Sequence, residues 1–113
     1  MSNLMTFPND ENGSVLAEMQ EAGIDLSKSL TVEFFQLFEQ EKDARALAEF
    51  VQNSDMNAVV NVHPDQTPNV WDVDCQIEMV PSYENIVAME EKFEKLANKF
   101  NGFNDGWGVQ QDD

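Results

Sequence analysis

Two spacings of apolar residues alternate along this chain, one near 3.6 and one of two, and they divide it into helices and strands. The first helical stretch follows Asn9 or Asp10, either of which offers a cap. It carries Val15, Leu16 and Met19 on one face and reaches Gly23, which is placed to end it. Leu30 to Phe38 is rich in β-branched and aromatic residues and predicts a strand. Its alternation breaks at Phe34-Phe35, so a bulge or an early exit is expected there. If Leu30, Val32 and Phe34 point inward, Phe35 and Leu37 emerge beside Glu33, whereas a bulge turns them back into the core. From Glu41 to Gln52 the residues Ala44, Leu47, Ala48 and Val51 repeat at helical spacing, with Glu41 and Arg45 ordered for an i,i+4 pair.

Asn53-Ser54-Asp55 breaks that helix, Asn57 to His63 reads as a second strand, and His63 to Asn69, with Pro64 and Pro68, as an irregular connection. The clearest alternation follows, where Trp71, Val73, Cys75, Ile77 and Met79 interleave with Asp72, Asp74, Gln76 and Glu78. Such a strand has one apolar and one acidic face. Pro81 stops it, and Ser82 caps a long helix marked by Ile86, Met89, Phe93, Leu96, Ala97 and Phe100. Lys92, Lys95 and Lys99 lie toward its C-terminal end, where the helix dipole favours cations. Phe103 to Val109 is a short closing strand. A helix followed by two strand-helix-strand units predicts an α+β fold: a ferredoxin-like sandwich, its four-stranded antiparallel sheet covered by helices on one face, with an extra N-terminal helix. Residues 1–9 are expected to form a flexible arm and residues 10–113 a single domain.

Composition narrows the function classes. With 42% hydrophobic residues, 113 residues supply one modest core. Twenty-two Asp and Glu against six Lys and Arg leave a net charge of −16, which repels phosphate and argues against direct nucleic-acid binding. Partners are expected to be neutral or basic. The lone Cys75 forms no internal disulfide, Met1 to Pro8 lacks the basic start and apolar run of a signal peptide, and no stretch approaches membrane-spanning length. A reduced, cytoplasmic protein without a membrane partner is the expectation.

Catalytic chemistry is sparse. His63 has only Asp65 close by in sequence, and Cys75 on an apolar strand face behaves as a small hydrophobe. No phosphate loop, CxxC pair or nucleophile elbow occurs, and the spacing of Asp72, Asp74 and Glu78 is unlike a calcium loop. No catalytic residue, cofactor or metal is therefore expected. The strand carboxylates form either a solvated face or a docking surface for a basic partner. Other readings stay open: a small-molecule-binding domain, a nucleic-acid mimic directed at another basic protein, or an enzyme resting on His63, Asp65 and the strand acids.

Asn104-Asp105-Gly106 is a turn signal, and Gly106 and Gly108 permit a backbone geometry or close approach that a Cβ blocks. Between them Trp107 either plugs the core or presents an anchor. Placed just after a long helix, Asp105-Gly106-Trp107-Gly108 resembles a motif of a bacterial family, the regulator of ribonuclease E activity B (RraB). Gly23-Ile24-Asp25-Leu26 is similar to that family's turn after its first helix, and Trp71 to Glu78 to its cysteine-containing strand; Phe34-Phe35 stands where the family typically has adjacent histidines. The resemblance implies a ferredoxin-like, non-enzymatic protein that binds ribonuclease E, an RNA-degrading endonuclease, through a basic region of that enzyme and lowers its activity. Asp72, Asp74, Glu78, Asp105 and Trp107 are the candidate partner-binding residues.

Overall fold

A computed structural model describes residues 7–110 of the chain. Helix α1 (Glu11–Glu21) starts at Asp10, whose carboxylate accepts from the Gly13 amide at 2.8 Å and also from the Tyr83 hydroxyl. It closes through Gly23 at φ 94°, with the Ile24 amide donating back to the Met19 carbonyl. That wrap-around satisfies carbonyls left open at a helix end, and glycine adopts the required left-handed φ without a Cβ penalty. Residues 1–6 of the expected arm lie outside the described residues; Phe7 packs against the core.

Strand β1 (Leu30–Phe38) leads to helix α2 (Glu41–Gln52), then β2 (Val59–Pro64) and β3 (Trp71–Met79). Helix α3 (Tyr83–Lys99) follows, capped by the Ser82 hydroxyl on the Asn85 amide at 3.1 Å, and β4 (Gly102–Val109) ends the order. The fold is α+β, with a four-stranded antiparallel sheet in the order β2-β3-β1-β4. That order agrees with the ferredoxin-like expectation. Pro64 falls inside β2 rather than after it; at a sheet edge, a residue without an N–H is tolerated because no ladder bond is lost on the open side.

Buried side chains gather on one face of the sheet. Val32, Phe34 and Phe38 of β1 and Val73, Cys75 and Ile77 of β3 meet Leu47 and Val51 of α2 and Ile86 and Phe93 of α3. Phe34 and Phe93 stack with ring centroids 5.0 Å apart, joining the central strand to the long helix. α1 packs against α3 and contributes Leu16 to the same core.

The expected break at Phe34-Phe35 is absent from β1, which runs unbroken from Leu30 to Phe38. Its alternation continues because Gln36, although polar, takes the inward position and is fully buried. The Gln36 Oε1 accepts from the Cys75 thiol at 3.7 Å, while its Nε2 has no partner among the described residues. The bulge lies on the neighbouring strand: Phe34 pairs with Trp107 and Gln36 with Asn104, so two steps on β1 face three on β4. The extra residue falls at Asp105-Gly106, where Gly106 has φ 98°, a conformation that suits glycine in a bulge.

Candidate functional site

With all three helices on the core side, the opposite sheet face is open, and its composition follows from strand alternation. The register builds it in transverse rows. His63 of β2 opposes Asp72 of β3, Asp72 opposes Leu37 of β1, and Leu37 opposes Phe103 of β4. The next row runs Asn61, Asp74, Phe35 and reaches the bulge at Asp105-Gly106; the next, Val59, Gln76, Glu33 and Gly108. In the first two rows the carboxylates of β3 adjoin Leu37, Phe35 and Phe103 of β1 and β4, while Glu33 and Asp105 add acids on β1 and β4 and Val59 is an exposed apolar group on β2.

Carboxylates on β3 are held by their cross-strand neighbours. Asp74 accepts from Asn61 Nδ2 at 3.3 Å and lies 3.2 Å from His63 Nε2, leaving its side chain 14% exposed. Asp72 stands 3.7 Å from His63 Nδ1, and Glu78, at the far end of the strand, accepts from the Thr31 hydroxyl at 2.9 Å. Partial burial raises the Asp72 pKa, and the Asp65 and Asp105 carboxylates raise it further against the opposing pull of His63. At His63, burial favours the neutral ring, but the Pro64 carbonyl and the Asp74 and Asp72 carboxylates outweigh it and the pKa is raised. The Asp65 carboxylate, held by the Thr67 amide, titrates below its ordinary value.

Asp72, Asp74, Glu78 and Asp105 therefore belong to one face, with Asp105 close enough to act on Asp72. Trp107 does not. Its register partner is inward-facing Phe34, and its ring packs against the core while Nε1 donates to Asn12 of α1 at 2.9 Å. A cleft between α1 and β4 exposes part of that ring beside Glu11, Glu90 and Asp105. Cys75 is fully buried, and burial pushes its thiol up to about 12, so it is not a nucleophile at neutral pH. His63 is half exposed on the open face. Among the described residues, no group of three or more His, Cys, Asp and Glu is arranged to hold a metal ion. No helix there is long and apolar enough to cross a membrane.

Sequence reasoning missed the cleft at one end of the open face. Leu37 and Phe103 border it together with Glu39 and with Pro68 and Val70 of the β2–β3 connection, around a volume of about 420 Å³. In the sequence Phe103 marks only the start of a strand, yet it is 58% exposed. Its exposure follows from pairing with outward-facing Leu37, a relation no local pattern encodes.

The cations are also sorted in space. Lys28 lies in the turn before β1, Lys42 and Arg45 on α2, and Lys92, Lys95 and Lys99 on α3, so no strand carries a lysine or arginine. No curated protein matches the chain. The model of one family, described as regulator of ribonuclease activity B, matches residues 9–109, and with that match over nearly its whole length the chain belongs to the RraB family.

Proposed function

We propose that this protein binds a basic segment of an RNA-degrading endonuclease of the ribonuclease E class and lowers its activity, without catalysing a reaction itself. The observation that carries the reading is the open sheet face, where Glu33, Asp72, Asp74, Glu78 and Asp105 stand among strands free of lysine and arginine. The family's description as a regulator of ribonuclease activity supports it. A basic segment that grips RNA phosphates finds on this face the same sign of charge, so the acidic sheet competes with RNA for it. Residues 10–113 act as the binding unit in the cytoplasm, with Asp72, Asp74 and Glu78 as the principal contacts and Asp105 at their border. Trp107 supports the face from behind by holding β4 to α1.

The test is an RNA-cleavage assay with the purified endonuclease, titrated with this protein at low and high salt, alongside a direct binding measurement. Inhibition that weakens with salt, and weakens further in the triple variant Asp72→Asn, Asp74→Asn, Glu78→Gln, is the expected result. Full inhibition by the triple variant removes the sheet face as the contact surface.

A further inference from the structure

The end of the open face formed by the His63 row is two-sided in chemistry, and this specifies more about its partner than charge does. In the row His63-Asp72-Leu37-Phe103 a carboxylate sits directly beside an apolar pair, and that pair borders the cleft formed with Pro68 and Val70. Neighbouring strands are ~4.8 Å apart, so the boundary between Leu37 and Phe103 lies ~7 Å from the line of β3 carboxylates. An extended peptide places side chains i and i+2 on one side at a similar spacing of ~6.7 Å. One segment crossing the sheet therefore reaches both an acid and the cleft with residues two apart.

Resting on the reading above, we propose that the occupant is an extended basic segment carrying one large apolar side chain two residues from a lysine or arginine. The apolar group fills the Leu37–Phe103–Pro68–Val70 cleft, and the cation meets Asp72 and Asp74. Charge complementarity selects this occupant over a second copy of the chain: face-to-face pairing opposes acids with acids, and every lysine and arginine lies in the helices or the turn before β1. The two halves of the surface also divide the labour. Carboxylates supply attraction that salt screens, and the cleft supplies apolar burial that salt does not screen.

Two labelled synthetic peptides distinguish this from attraction by charge alone, both rich in arginine and serine, one with a leucine two residues from an arginine pair and the other with serine there. Fluorescence anisotropy with the full chain is expected to show about tenfold tighter binding of the leucine peptide, a preference that persists at high salt. Phe103→Ser, at an exposed position, is expected to abolish that preference while leaving salt-dependent binding of the serine peptide intact. Asp72→Asn with Asp74→Asn is expected to weaken both peptides and keep the preference. Equal binding of the two peptides overturns the proposal, as does a preference that survives Phe103→Ser. So does failure of both peptides to bind, or self-association of the free chain that Phe103→Ser abolishes. If the leucine preference holds but the endonuclease does not bind, the functional reading falls and the surface chemistry stands; equal peptide binding with endonuclease inhibition intact gives the reverse.

Discussion

Cys75 and His63 show how far a residue's behaviour departs from its type. Cys75 lies in the core with its thiol donating to Gln36, and burial drives its pKa to about 12. A neutral, enclosed thiol is expected to resist iodoacetamide in the native protein and to be alkylated once urea unfolds it, as mass spectrometry would record; rapid native labelling contradicts this burial. His63 behaves oppositely. Its pKa is raised in the fold, so the stability contributed by the imidazolium is fully present below the unfolded value of about 6.5 and is lost as pH rises through the folded value. NMR titration of the single histidine is expected to give an elevated midpoint, and His63→Gln to flatten the corresponding change in denaturation midpoint between pH 6 and 8.

Each of the seven elements was legible because its signal is local, but β4 shows where locality ends. In Asp105-Gly106-Trp107-Gly108 both glycines permit a backbone geometry or a close approach, and the fold gives them different roles. Gly106 sits at φ 98° in the bulge. A Cβ on Gly108 meets nothing nearer than the Phe35 ring at 3.9 Å. Gly106→Ala is expected to cost about 1 kcal/mol for the left-handed φ. Gly108→Ala is expected to leave stability unchanged or raise it by about 0.5 kcal/mol through the less flexible unfolded chain. Urea denaturation of the two variants checks the contrast, and equal losses contradict it. A close approach that a Cβ blocks occurs at Gly102, where a Cβ runs into the Phe38 ring at 2.3 Å.

Across the whole molecule, whose charge is −16, the strands carry five carboxylates and no lysine or arginine, while the helices carry ten carboxylates together with five of the six cations. Part of this acidity opposes folding. Burial and the neighbouring Asp65 raise the Asp72 pKa, so its protonated form is favoured in the fold, and that contribution is lost as pH rises through the raised value. Asp72→Asn is therefore expected to raise the urea midpoint at neutral pH while weakening salt-dependent binding to the endonuclease. A variant that binds less well yet folds more tightly places the carboxylate in function rather than in the scaffold; a lowered midpoint shows that the His63 contact outweighs the repulsion.

Alternation and helical spacing are properties of short stretches, so the elements, their apolar faces and the acidic side of β3 follow from local sequence, and the net charge from composition. The tertiary structure alone decided which faces lie side by side. His63, Asp72, Leu37 and Phe103 form one row only because non-local pairing sets the register and closing the core holds it. The same closure placed Gln36 inside and moved the bulge from β1 to β4, since shifting β1 by one residue exposes Phe34 and Phe38 and buries Phe35 and Leu37 in their place. Burying the larger set of apolar groups outweighs one imperfectly paired amide, and that balance exists only between strands distant in sequence.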